Sequence, residues 1–405
     1  MTFFSFIGRN GRWLGGAFLC TLFSSYGQTF YIALSSGGIR DEFELSHGQF
    51  GWLYMAATLT SAALIPFVGR SIDSVRIERY ALFVVAGLAV SMVLVASAPS
   101  VVFLFAAIAG IRLFGQGLMG HTAMTAVGRW FSADRGKAVS IAALGHQIGE
   151  GVMPVSFVAI TALVGWRGGW LVNALFLGLI VLPAVYFLMR VPRTPSPVEI
   201  EGRVSSRQWT RREALRDPVF WLLLTGILAP PFIGTTVFFH QVYLTELRGW
   251  SLSQFAGATP VLSIFAVLAT VASGHLIDRF GSAALLPVML AFVAAANLAI
   301  GLGDSASMVL VYMACMGISF GLYASAFGAI WPELYGVAHL GAIKAVVTAM
   351  MVFSTALGPG VSGWLIDAGL AFPDMIVAMG AYAAAASLLM VVLTAAVRRR
   401  LGRVD

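Results

Sequence analysis

Two residues able to carry charge lie where charge is costly. Arg112 sits inside the apolar stretch 101–128 and Glu150 inside 139–164. Each stretch is long enough to cross a bilayer, since about 20 residues rising ~1.5 Å each span a hydrocarbon core of ~30 Å. A charge at that depth costs at least ~2.5–3.5 kcal/mol, so it calls for a partner or a water-filled cavity. The two stretches are consecutive and antiparallel, which allows two readings. One is an internal ion pair that locks two helices together. The other is a site in which a guanidinium holds a carboxylate through two parallel hydrogen bonds while a carboxyl group loads and unloads a proton. Gln116 follows Arg112 by one helical turn and His146 precedes Glu150 by one, so each pair shares a face. Arg112 and Gln116 are therefore assigned to the substrate, Glu150 and His146 to the proton. His121 falls about half a turn out of phase with Arg112 and is read as a packing histidine.

Other side chains could wall the same cavity. Gln28 and Tyr31 stand with Ser24, Ser25 and Tyr26 in the first apolar segment, 13–36. His240 and Tyr243 lie at the far end of the seventh segment, beyond Pro230 and Pro231, and Tyr323 with Phe327 lies in the tenth. The plain alternative for each is helix–helix contact, common for small, hydroxyl and aromatic residues in membranes. Met313, Met316, His121 and Met124 would suit a soft metal, but methionine is ordinary filler in apolar helices. No metal site and no cofactor are expected.

The elements that must position these residues follow from composition. Hydrophobic residues make up 59% and charged residues 11% of the 405, against about 45–50% and 25% in soluble proteins. The chain reads as an all-α polytopic membrane protein with no water-exposed catalytic domain. The spaced glycines and lysine of a nucleotide-binding loop are missing. The first segment is too long for a signal-peptide core and is expected to stay. A solvated stretch rich in proline and arginine divides the chain, giving an N-terminal bundle at 1–190, a linker at 191–217 and a C-terminal bundle at 218–405. Lys and Arg gather in alternate loops; only Arg40, Arg167 and Arg248 fall on the opposite side. By the positive-inside rule this gives twelve spans with both termini cytoplasmic. The net charge of +7 thus reports orientation, and no nucleic acid is expected. Cys20 and Cys315 lie in separate spans and are read as packing residues.

The halves echo one another. Gly69 and Asp73 follow the second span, and Gly274 and Asp278 follow the eighth with the same spacing. Gly145, Gly149, Gly151 and Pro154 of the fifth span match Gly358, Pro359, Gly360 and Gly363 of the eleventh. Gly274, Asp278, Arg279 and Gly281, with Arg129, Arg135 and Lys137 and with Gly165 to Arg167, resemble the loop signatures of the major facilitator superfamily along the whole chain. Arg112 is similar to the helix 4 arginine of its proton-driven exporters. Pro218 to Trp221, Phe239 with His240, Tyr243 to Ser251, and Glu333 to Ile343 look most like its monocarboxylate-porter and oxalate–formate antiporter group. The resemblance implies twelve helices in two pseudo-symmetric six-helix bundles that rock to give alternating access. It implies gating loops at Gly69, Asp73, Gly274, Asp278, Arg279 and Gly281. It further implies secondary transport of a small organic solute, an organic anion above all, coupled to protons or to an exchanged solute. The expected setting is the lipid bilayer of a bacterial-type inner (plasma) membrane, as a monomer. The rivals are a proton-driven exporter of amphipathic drugs in the same fold and a membrane sensor that does not transport; an enzyme is not expected.

Overall fold

The structure, a computed structural model, describes residues 3–131, 135–191, 208–336 and 339–401, excluding the side chains of 3–5, 135 and 398–401. The apolar runs fold as helices, and no strand occurs among the described residues. The reason is that hydrocarbon offers backbone N–H and C=O groups no partner, whereas a helix pairs them internally. Among the described residues ten helices are long and apolar enough to cross a bilayer. One of them, Gly136–Met189, runs for 54 residues, about twice what a span needs. It breaks at Gly165, whose φ of 70° and ψ of 173° suit a residue without Cβ. Counting its halves separately and adding Phe3–Phe23 gives an arrangement consistent with twelve spans. They are α1 (Phe3–Phe23), α2 (His47–Asp73), α3 (Ile77–Ala96), α4 (Val101–Trp130), α5 (136–164) and α6 (166–189). The second series is α7 (Pro218–Phe239), α8 (Leu252–Phe280), α9 (Ser282–Leu302), α10 (Met308–Tyr335), α11 (Leu340–Asp367) and α12 (Phe372–Val397).

Helix starts are set locally. Ser46 and Gln49 form a reciprocal capping box ahead of α2, and Ser251 with Gln254 does the same ahead of α8. Asp217 accepts from the Val219 N–H at 3.2 Å, with Pro218 in the first helical position of α7. The outer surface is apolar: Leu163 is 86% exposed and Leu388 71%. That pattern fits a lipid solvent, and the protein is an integral membrane protein.

The chain divides into two compact units, Met1–Ile200 and Glu201–Asp405. In the first, α1 packs on α5; in the second, α7 packs on α11, α8 on α10 and α9 on α12. Most of the expected linker, 192–207, lies outside the described residues, as do 132–134 of the α4–α5 connector and 402–405 of the basic tail.

One segment differs from the sequence reading. The first span is not one helix: α1 ends at Phe23 and gives way to 3-10 turns at Ser24–Gly27 and Ala33–Ser35, with a short turn Thr29–Ile32 between them. Serine and glycine in sequence favour local side-chain bonds and extra backbone freedom over a continuous helix. At 165–170 only Gly165 leaves the helix, which resumes at Trp166.

Arg167, just past that break, ties three connections together. It grips Glu42 through Nε (3.0 and 3.1 Å) and Nη2 (2.6 Å) and donates to the carbonyls of Ala96 (2.6 Å) and Ala98 (2.7 Å). Hydrogen bonds from Arg167 hold the exposed Glu42 carboxyl below its ordinary range. A folded-state pKa that is depressed contributes stability above the unfolded value, near ~4.3, and loses it as pH falls through the folded value. Glu42→Gln is therefore expected to lower the thermal midpoint at neutral pH. The gap to the parent should close below about pH 4, and unfolding curves recorded across that range check it.

Candidate functional site

The interruption of the first span is where the two helices that carry charge inside the first unit's spans meet. Its 3-10 turn ends at Gln28, which is extended (φ −85°, ψ 154°), so the local carbonyls lose their regular helical donors. Arg112 supplies one: its Nη1 donates to the Gly27 carbonyl at 2.9 Å. The opposing part of α4 is itself irregular, a π-helix over Arg112–Met119. Wider turns of this kind are rare and concentrate at functional sites. The two irregular stretches touch through glycines, because a Cβ on Gly27 would stand 2.6 Å from the Gly115 Cα. No larger residue fits either position without parting the helices.

Arg112 is 1% exposed. Its guanidinium lies 5.3 Å from the centre of the Tyr54 ring, and the Tyr54 hydroxyl donates to Thr29 Oγ1 at 2.8 Å. The charge thus rests on an aromatic face, anchored in turn to the segment just past the break. Among the described residues Nε has no hydrogen-bond partner, and neither does Nη2. The ion pair of the first reading is not formed: among the described residues no hydrogen bond or ion pair joins Arg112 to Glu150, and Glu150 has neither. The physical reason is the break, whose free carbonyl takes the guanidinium.

The other face of the interruption meets α5. Gly145 packs against Thr21 and the Phe18 carbonyl, and Gly149 against Ser25 and the Leu22 carbonyl. This seats His146 beside the turn, with Nδ1 3.5 Å from Ser24 Oγ. Glu150, one turn further along α5, is half-buried. Arg112 and Glu150 therefore approach the same short stretch of the first span from two helices, without touching.

The remaining assignments separate. Gln28 and Gln116 are half-buried, with no side-chain hydrogen bond among the described residues. Tyr31 is not a cavity wall of the expected kind. It is fully buried, its ring 5.0 Å from Tyr26, 4.7 Å from Phe157 and 5.4 Å from Trp170, although its hydroxyl has no partner. The surrounding rings give the aromatic more contact than a polar cavity would. His121 is exposed beside Gly69 rather than packed. A regular helical wheel does not hold across the π-turns between it and Arg112. Tyr54 and Thr29, which hold Arg112, escape sequence reasoning because neither lies at helical spacing from it.

In the second unit His240 falls where α7 ends, and its Nε2 pairs with Ser362 Oγ at 2.8 Å. The pairing repeats the first unit's geometry. Gly358 of α11 packs on Thr236 of α7 as Gly145 packs on Thr21. Four residues further along each helix, His240 and Ser362 stand where Ser25 and Gly149 stand in the first unit. Tyr243 packs near Phe372 (6.1 Å). Tyr323 donates to the Met351 sulfur at 3.3 Å and lies 5.5 Å from Phe327.

The loop signatures behave unlike their sequences. Asp73, in the first copy, pairs with Arg129 at the end of α4, and Arg129 also donates to the Ile72 carbonyl at 3.1 Å. Asp278 and Arg279, in the second copy, are exposed; among the described residues Asp278 takes no arginine, and Arg279 covers the Phe280 ring at 5.1 Å. Nothing packs closely on Gly274. The loop is closed instead by Glu333 of α10, which accepts from the Ser282 N–H at 3.1 Å and from its hydroxyl, against Gly281. The end of α4 offers an arginine where the end of α10 offers a glutamate, so an aspartate in the facing loop is attracted in one copy and left to solvent in the other.

Comparison with known proteins bears on what such a site does. The sequence model described as Major Facilitator Superfamily matches residues 17–306 and 232–404. Monocarboxylate transporter 2 of Rattus norvegicus is 23% identical, over 92% of this chain and 81% of that protein. The oxalate:formate antiporter of Oxalobacter formigenes is 24% identical, over 62% of each chain. Among solved structures, a bacterial homolog of the human lysosomal transporter Spinster, inward-facing and occupied, aligns with a TM-score of 0.66. It is 17% identical and covers 97% of this chain and 96% of that one.

Proposed function

The chain belongs to the Major Facilitator Superfamily, and we propose that this transporter carries a small, monocarboxylate-like organic anion by alternating access of its two halves, coupled to protons. One observation carries the reading. Arg112 is a buried cation with no anionic partner among the described residues, and the free Nε–Nη2 edge of its fork is the geometry that binds a carboxylate in two parallel bonds. An uncompensated buried charge costs several kcal/mol, which a bound anion would relieve. The names of the relatives, a monocarboxylate transporter and an oxalate:formate antiporter, support the same substrate class. Gln116 and Gln28, both free to donate, complete the substrate site in this reading, and His240, Tyr243 and Tyr323 contribute from the second half. Glu150 and His146 move the proton, since Glu150 is unbound and stands one turn from the histidine at the same break.

The test is a thermal-shift screen of the purified protein against carboxylates, sugars, amino acids and amphipathic drugs. A ligand that binds only the folded state stabilises it by mass action. Short-chain monocarboxylates are expected to raise the midpoint most, and their uptake into proteoliposomes should rise with an imposed proton gradient. A neutral solute or a cationic amphipath as the best ligand would overturn the anion assignment, and the latter would select the exporter reading.

A further inference from the structure

We propose that the second unit carries an anionic phospholipid site separate from the transport site, with one acyl chain in a trough between α7 and α11 and the headgroup on Arg211. The trough is a cavity of about 750 Å³ walled by Leu228, Val346, Ala349, Met350 and Phe353, with Arg211 at its polar end. A second cavity of about 570 Å³, reaching Trp221 and Tyr382 on α7 and α12, shares Leu228, Met350 and Ser354 with it. The interior asks for no polar ligand. The Ser354 hydroxyl already donates to the Leu228 carbonyl at 3.3 Å, and the rest of the wall is hydrocarbon. Phe353 is 54% exposed, so the trough is open along its side, as entry from a bilayer requires.

The charged end is built rather than incidental. Arg211 begins the short helix Arg211–Arg216, which a capping box between Thr210 and Glu213 orders. That helix is fixed to α10: the Trp209 N–H donates to the Tyr335 carbonyl at 3.0 Å, and the two rings lie 5.5 Å apart. Glu213, the carboxylate on this helix, is taken up in the cap. Arg211, Arg212 and Arg216 are exposed and have no hydrogen bond or ion pair among the described residues. An arginine without an ion pair among the described residues at the mouth of an apolar trough, with Arg212 and Arg216 on the same short helix, matches a ligand with a phosphate at one end and a chain at the other. Basic pockets at helix ends recognise anionic lipids in this way.

The test uses the full-length protein in uncharged detergent. Native mass spectrometry and thermal midpoints are recorded with phosphatidylglycerol, with phosphatidylcholine of the same chains, and with glycerol 3-phosphate as the headgroup alone. Phosphatidylglycerol is expected to be retained and to raise the midpoint, whereas the other two do neither. Arg211→Ala should weaken retention about fivefold, the weight of one basic residue at an anionic surface. Ala349→Trp, which fills the trough but leaves the arginines, should lose it. Equal retention of phosphatidylcholine would remove the arginine from the site, and an equal effect of glycerol 3-phosphate would make it a free-anion site. Parent-like retention by both variants would overturn the proposal outright.

Discussion

Arg112→Ala is expected to abolish substrate binding and transport, with Arg112→Lys retaining a weakened form of both. The side chain has one nitrogen, Nη1, committed to the Gly27 carbonyl and two, Nε and Nη2, without a partner among the described residues. Lysine keeps the charge but cannot present two coplanar donors to a carboxylate. Truncating one member of a buried, hydrogen-bonded charge pair costs about 2–5 kcal/mol, so affinity should fall ~30-fold or more in the alanine variant. Thermal-shift titration with the best carboxylate from the screen measures it, and gel filtration reports whether each variant still folds. Binding unchanged in both variants would leave Arg112 a purely structural cap on the broken span.

Glu150→Gln is expected to stop accumulation against a gradient while leaving exchange of substrate across the proteoliposome membrane intact. Glutamine keeps the shape and cannot take up a proton. Glu150 makes no bond that the change would break, so a loss of coupling would not be a loss of folding. Substrate reaching Arg112 and a proton reaching Glu150 would act on the same interrupted stretch, Ser24–Gly27, from its two sides. Linkage between the fluxes then needs no direct contact between the charges. A variant that still concentrates substrate, with the parent's pH dependence, would assign Glu150 to packing and move the coupling group elsewhere.

The likeness between the two units explains why the sequence repeat was readable and where it misled. Gly145 on Thr21 and Gly358 on Thr236 are the same contact, and small residues at a helix crossing leave a visible spacing. Asp73 and Asp278 share a spacing too, yet among the described residues only Asp73 of the two is paired. The difference lies in Arg129 and Glu333, more than fifty positions along the chain, and no pattern within either loop contains it.

The amino-acid sequence by itself determined the class of molecule. A composition this apolar leaves helices as the way to pair the backbone, and glycine and aspartate at repeated spacings marked the two halves. It also determined which residues carry charge inside a span, because hydropathy is a local quantity. Only the tertiary structure decided what those charges do. Arg112 was free to pair with Glu150 on any regular helical wheel. The 3-10 break at Ser24–Gly27 and the π-helix at Arg112–Met119 turned it instead to the Gly27 carbonyl and the Tyr54 ring. Tyr31, polar enough in sequence to line a cavity, went to an aromatic cluster formed with Phe157 and Trp170. The partner of a buried polar group depends on where neighbouring backbones lose their own hydrogen bonds, and that is settled between helices rather than along one.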